Sequence, residues 1–200
     1  MKKILLVTDG DSHPTLLGRL ILHVTLRKLD GFSFEHVSSL EKLPASLDSY
    51  SALVLYYHHE RISDSALGKL DEFVKRGGGI LAIHATTASF KETMPYFKIL
   101  GGRFIGHGKV EDFEVQKVRD DIFNGIDNFV ITDELYIHEL EPNIEVHFTA
   151  KLDGKDVPVA WTYRYGKGKV CYAVPGHTTG TMKNKTYQEV LKRGLAWVTE

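Results

Sequence analysis

Cysteine is almost missing from this chain: one residue, Cys171, in 200. A lone thiol excludes an internal disulfide framework and any zinc site built from several cysteines. Charge of one sign is not in excess either. Lys and Arg number 25 against 26 Asp and Glu, a net charge of −1, without the basic surplus that nucleic-acid binding normally brings. No apolar run is long enough to read as a membrane-spanning helix. The start, Met1-Lys2-Lys3 and then Ile4 to Thr8 before Asp9, is too short an apolar stretch for a secretion signal. A cytoplasmic protein that contacts neither membrane nor nucleic acid is therefore expected. Asn184-Lys185-Thr186 matches a glycosylation acceptor, but the match carries no meaning without secretion. There is no Walker A sequence and no G-x-S-x-G elbow.

What is present is a hydrophobic share of 42%, in a chain of the length of one domain, and a single domain over residues 1–200 is expected. A chain of this size removes roughly 70% of its unfolded surface from water. Histidine is abundant, at ten residues, and its positions carry the functional argument.

The first half alternates strand and helix patterns. Lys2 to Thr8 reads as a strand, followed by a loop and a helix with Pro14 in its first turn and Leu17, Leu20, Ile21 and Val24 at helical spacing. Phe32 to Ser38 alternates as a strand, and Ser51 to Tyr57 is a continuous apolar run, as a strand covered on both faces requires. Ser63 caps a helix running to Arg76; Gly77-Gly78-Gly79 ends it, and Ile80 to Ile83 is the next buried strand. The triple glycine precedes its strand, so it is a helix cap and turn, not a dinucleotide fingerprint. Ser89 and Glu92 have capping-box spacing for a further short helix. In the second half, Glu145 to Lys151, Val157 to Arg164 and Lys169 to Val174 read as an antiparallel meander, and Thr186 to Val198 as a closing helix. The order predicts a doubly wound, mainly parallel α/β sheet with an added antiparallel meander.

In such a sheet, ligands bind beyond the carboxyl ends of the strands. His13 follows the first strand, His58-His59 end the Ser51 strand, His84 ends the Ile80 strand, and His177 follows the Lys169 strand after Pro175-Gly176. Parallel strands would bring these imidazoles to one rim, with His84 open to a cleft. A histidine taken alone is as readily a hydrogen-bonded loop residue, and His23, His36, His138 and His147 read as ordinary members of helices or strands. Cys171 lies within a strand pattern and reads as a small packing residue.

Gly77 to Thr86 resembles the GGGxxxIHAAT signature of ThuA-like (trehalose utilisation) proteins. Leu100 to His107, Thr132 to Tyr136, Pro158-Val159-Ala160-Trp161 with Tyr165 to Val170, and Pro175-Gly176-His177 resemble further segments of that family in its order, over nearly the whole chain. The resemblance implies a flavodoxin-like, class I glutamine amidotransferase-like fold. It also places His84 where true amidotransferases carry their cysteine, so glutaminase chemistry through a thiolate is not expected. Thr86, Thr87 and Ser89 read as helix-start residues. The matches nominate His84, His107, Asp133, Glu134 and His177 as catalytic, with His107 and Glu134 arriving through connecting segments. His13, His58, Tyr136 and Trp161 are nominated for substrate binding. An aromatic face suits the apolar side of a pyranose, although Tyr136 and Trp161 fit a core equally well.

Two chemistries stay open for that set. Imidazoles with a carboxylate form a metal-free acid–base pair acting on a sugar hydroxyl or carbonyl. The same types can hold a divalent metal such as zinc, drawn from His13, His84, His107, Glu134 and His177, but no H-x-x-x-H or H-E-x-x-H spacing favours it. The family link implies a small sugar, such as trehalose, a related disaccharide or a keto-sugar, as ligand and a hydrolase or isomerase as activity. A non-catalytic binding or scaffold module that kept the fold is the other class, and homo-oligomerisation is left open.

Overall fold

The computed structural model describes residues 1–9 and 16–200. Its chain order begins β1 (Lys2–Thr8), α1 (Leu16–Leu26), β2 (Phe32–Val37), β3 (Ala52–Tyr56), α2 (Asp64–Lys75) and β4 (Gly79–Ile83). After a 3-10 turn at His84–Ala88 come α3 (Met94–Leu100), β5 (Gly102–Lys117), β6 (Phe129–Leu140), β7 (Glu145–Leu152), β8 (Lys155–Tyr165), β9 (Gly168–Ala173), α4 (Thr179–Lys183) and α5 (Lys185–Val198).

The strands form one nine-stranded sheet in the order β2-β1-β3-β4-β9-β8-β7-β5-β6. β2, β1, β3, β4 and β9 run parallel, so their carboxyl ends share one edge. The remaining pairs, from β9–β8 out to β5–β6, are antiparallel. Every residue of β3 and β4 is buried, which is why Ala52 to Tyr56 and Gly79 to Ile83 are apolar without alternation. Helices cover both faces of the parallel part: α1, α4 and α5 touch one another, while α2 packs with α3. Each fully buried Leu or Ile in this core, such as Leu53, Leu70 and Leu81, contributes on the order of 1.5–3 kcal/mol.

Local chemistry explains the boundaries. Ser63 accepts a hydrogen bond from the Ala66 amide and so caps α2, and Asn184 does the same for Tyr187 at the start of α5. Glycine follows α2 because nothing larger fits. A β-carbon on Gly78 would stand 2.4 Å from the Phe73 ring, and one on Gly79 would stand 2.2 Å from the Val198 carbonyl oxygen.

Three expectations are corrected. Ser89 caps no helix: it ends the 3-10 turn, and α3 begins later with Pro95 in its first turn. The stripe of Leu17, Leu20 and Val24 on α1 is at least half exposed, and the helix buries Leu22 and Leu26 instead. The segments holding His107 and Glu134 are not connections but the long hairpin of β5 and β6, interrupted by bulges between Phe104 and Gly106 and between His107 and Val110. Among the described residues, no helix is long and apolar enough to cross a membrane.

Candidate functional site

β4 delivers its last residue, Ile83, to the carboxyl edge, and His84 then turns the chain. Its φ of +49° lies in the left-handed region, which costs a residue with a β-carbon on the order of 1 kcal/mol. Tertiary contacts hold it there. Tyr172 donates its hydroxyl to the His84 carbonyl at 2.8 Å, and the His84 Nδ1–H donates to the Val174 carbonyl at 2.8 Å. A carbonyl can only accept, so Nδ1 carries a proton, and Nε2 is the ring nitrogen left to face Tyr136. The Tyr136 hydroxyl donates to that Nε2 at 3.1 Å.

His84 does not open to a cleft, as its strand-end position suggested; its side chain is fully buried. The reason is the hairpin, because Tyr136 on β6 covers the ring with centroids 4.3 Å apart. On the other side the chain passes close as well: a β-carbon on Gly176 would stand 2.7 Å from the His84 β-carbon.

Asp133 holds that second approach in place. Its carboxylate accepts the amides of Glu134 at 2.9 Å, Gly176 at 3.1 Å and His177 at 3.1 Å, together with the Thr181 hydroxyl. The group is completely buried. Burial pushes its carboxyl above the usual carboxylate range, against the pull of these donors. With its oxygens taken up by the protein, Asp133 is a clamp on the Pro175–His177 turn, and a catalytic role does not fit it. Tyr56 adds a second tie, donating its hydroxyl to the Gly176 carbonyl at 2.5 Å.

The clamped turn presents His177 to Glu134. Glu134 Oε2 lies 3.1 Å from His177 Nδ1, and its Oε1 lies 3.7 Å from His107 Nδ1. One carboxylate thus stands between two imidazoles. The exposure of the three side chains rises outward, from 15% at Glu134 to 21% at His177 and 47% at His107. His107 Nδ1–H donates to the Gly108 carbonyl at 2.7 Å, which leaves its lone pair on Nε2. One ligand atom from each of His84, Glu134 and His177 lies within 4.8 Å of the other two, and among the described residues this is the group that could hold a metal.

Strand alternation puts Glu134, Tyr136 and His138 on one face of β6. His138 has the sequence setting of an ordinary strand residue, yet it continues the row. Its Nε2 is 3.0 Å from the Thr87 hydroxyl, and its ring packs edge-on against Trp161 and Tyr172. Burial pushes its pKa down to about 3, and its Nδ1 has no hydrogen-bonding partner among the described residues. The spacing of Glu134, Tyr136 and His138 was a signal available in the sequence, since every second residue of a strand shares a face. His147 is also buried, bonded to Asp121 and Thr162, where it ties β7 to β8.

The other nominated residues fall out differently. Trp161 is fully buried and donates its indole N–H to the Leu100 carbonyl at 3.1 Å, so it belongs to the core and not to a sugar subsite. Tyr136 is buried too and meets the site through its hydroxyl. His58 follows β3 at the same edge, half-buried. His13 lies outside the described residues. The hydroxyls of Thr86 and Ser89 donate to backbone carbonyls at 3.2 and 3.0 Å, and Thr87 links His138 to Tyr172. Cys171 is buried on β9 with its thiol pushed up to about 12, so no thiolate forms near neutrality.

The model of the trehalose utilisation (ThuA) family matches residues 3–198. The chain belongs to the ThuA family. Among solved structures it is similar to a ThuA-like protein from Parabacteroides merdae, with a TM-score of 0.88 and 19% identity, covering 99% of this chain and 90% of that one. A glutamine amidotransferase from Thermotoga maritima superposes with a TM-score of 0.67 at 15% identity, covering 100% and 98% of the two chains. A β-galactosidase from Rahnella sp. R3 matches with a TM-score of 0.72 at 12% identity, covering 99% of this chain but 32% of that enzyme. At these identities the likeness is one of fold: this ThuA family member has an α/β fold similar to that of the glutamine amidotransferase. No curated protein matches the sequence.

Proposed function

We propose that the protein acts on a small sugar, and specifically on a keto-sugar, by moving protons between carbon and oxygen next to the carbonyl. The observation that carries this reading is the Glu134 carboxylate standing 3.1 Å from one imidazole and 3.7 Å from another. Two imidazoles sharing a carboxylate form a set able to accept and to donate protons. His107, the more exposed ring with its lone pair on Nε2, takes the proton from the carbon beside the carbonyl, and Glu134 stabilises the imidazolium that results. His177 gives its proton to the carbonyl oxygen, so an enediol forms. Return of the protons to exchanged positions isomerises the sugar; loss of a group one carbon further on eliminates it. His84 and Tyr136 supply the buried, oriented floor beneath. The family's link to trehalose utilisation supports a sugar as substrate, and a cytoplasmic setting fits this reading.

The test is solvent deuterium exchange followed by NMR, with the purified protein and a panel of free sugars and 3-keto-sugars. Exchange beside the carbonyl is expected, falling on the order of 100-fold or more in Glu134→Gln and His107→Gln. Saturable binding of a sugar with neither exchange nor turnover on any member of the panel would overturn the enzyme reading in favour of a binding module.

A further inference from the structure

The arrangement around Glu134 has a second capacity. We propose that His84, Glu134 and His177 bind one divalent transition ion, zinc or a metal of similar preference. The proposal rests on the reading that this cluster is the working site of the protein and names the cofactor that would complete it.

Three observations converge. The donor atoms come from three separate segments, the end of β4, the middle of β6 and the turn after β9, and lie within 4.8 Å of one another. Ligand atoms held about 2 Å from an ion at tetrahedral angles stand roughly 3.3 Å apart. The Glu134–His177 pair, at 3.1 Å, already has that spacing. The tautomer of His84 is also the one a metal needs. Its Nδ1–H is anchored on the Val174 carbonyl at 2.8 Å, which leaves Nε2 as the donor atom. An outer hydrogen bond of this kind to a backbone carbonyl is the usual support of a ligating histidine. Finally, the backbone at His177 is not free to drift, because Asp133 accepts its amide and that of Gly176, both at 3.1 Å. Two imidazoles and one carboxylate suit zinc, iron(II), cobalt(II) or manganese(II) far better than magnesium or calcium, which take oxygen ligands.

An ion there would leave His107 outside the ligand set, and so still able to act as base. It would replace the His177 proton as the group that polarises the sugar oxygen, and three protein ligands would leave a coordination position for that oxygen. The competing account is that Glu134–His177 and Tyr136–His84 are simply an ion pair and a hydrogen bond.

The decisive measurement is metal binding by the tag-free, chelator-treated protein, using Zn²⁺ alone in calorimetry and Co²⁺ alone in visible absorption. One tight ion per chain is expected, with a Co²⁺ spectrum of low coordination number and a raised melting temperature on adding Zn²⁺. Glu134→Gln and His177→Asn should each weaken binding at least about 100-fold, whereas His107→Gln should leave it within a few-fold. His84 is fully buried, so His84→Gln is read only if its circular dichroism and melting curve match the parent. No stoichiometric binding, or binding that Glu134→Gln does not weaken, overturns the proposal. Keto-sugar exchange by a protein that binds no ion would sink the metal and keep the sugar reading. Tight metal binding with no action on any sugar would do the reverse.

Discussion

The parallel half of the sheet and the β5–β6 hairpin are built on opposite principles. β3 and β4 are buried along their whole length, whereas β5 exposes most of its central residues and is paired over most of its length with β6 alone. Continuous apolar burial characterises the first, and the polar groups of the candidate site are concentrated in the second. The parallel half contributes His84 and the turn carrying His177, both set by backbone geometry. The hairpin contributes Asp133, Glu134, Tyr136, His138 and His107, five of the polar groups around the site. The sheet edge places His84 and His177, and a half-exposed hairpin folded over it brings the carboxylate and the further imidazoles beside them. This division matches the general placement of functional groups on segments held up by a rigid scaffold.

Breaking the link between the halves should have the largest effect. Asp133→Ala removes the acceptor of three amides and a hydroxyl in a fully buried place. Each buried donor left without a partner costs about 1–3 kcal/mol, so a loss on the order of 3–5 kcal/mol is expected in urea unfolding. Asp133→Asn keeps one acceptor oxygen and should recover part of it. A loss under about 1 kcal/mol for Asp133→Ala would mean that the clamp is not a clamp.

Next comes a pair of glycine substitutions, one in each half. A β-carbon on Gly79 meets the Val198 carbonyl oxygen at 2.2 Å, a backbone atom that cannot move without shifting α5. Gly79→Ala should destabilise by about 3 kcal/mol. Gly106 on β5 has nothing within 4 Å of such a carbon, and Gly106→Ala should change stability by less than about 0.5 kcal/mol. Equal effects on the two midpoints would remove the distinction between core and hairpin.

The same contrast sets what the sequence disclosed. Ala52 to Tyr56 and Gly79 to Ile83 are legible because burial on both faces leaves an uninterrupted apolar run, and Ser63 and the triple glycine mark the ends of α2 by local chemistry. The strand-end rule then located His84 and His177 from topology alone. The hairpin was not legible. Gly106, Gly108 and the charged residues from Lys109 to Asp112 break the alternation that marks a strand, and two bulges shift its phase. With β6 unseen, the row Glu134, Tyr136, His138 could not be recognised as one face, so His138 was passed over. The burial of His84 was missed for the same reason, since the lid above it is the hairpin.

His138 supplies a pH-dependent way to sharpen the comparison. Its pKa is about 3 in the folded protein, against about 6.5 for an unperturbed histidine, because burial penalises the imidazolium. Between these values the unfolded chain binds a proton that the folded chain refuses. This contribution is therefore fully present above pH 6.5 and is lost as pH falls toward 3, at up to about 1.4 kcal/mol per pH unit. By pH 5 the loss amounts to about 2 kcal/mol. His138→Phe, which keeps a ring among Phe104, Trp161 and Tyr172 but removes the titrating group, should flatten that part of the pH profile. Burial of Asp133 acts with the opposite sign at lower pH, because its folded carboxyl holds a proton more readily than the unfolded one. Unfolding midpoints from pH 7 to 4 for both proteins check this; parallel profiles would show that His138 does not titrate in the way its surroundings dictate.

The smallest stability effect belongs to His107. Its side chain is 47% exposed, its one short hydrogen bond runs to the adjacent Gly108 carbonyl, and Glu134 is 3.7 Å away. A half-solvated group with such partners contributes little to folding, since water replaces each contact at small cost. His107→Gln should therefore leave the melting temperature and the urea midpoint within error of the parent, a change inside about 0.5 kcal/mol. The same substitution removes the outermost proton acceptor of the proposed reaction. A residue whose loss leaves the fold untouched and abolishes keto-sugar exchange would locate function on the hairpin without any confounding loss of structure. If His107→Gln instead lowers the unfolding midpoint as much as Gly79→Ala does, the hairpin is part of the stabilising scaffold, and the division of labour between the two halves fails at its most exposed residue.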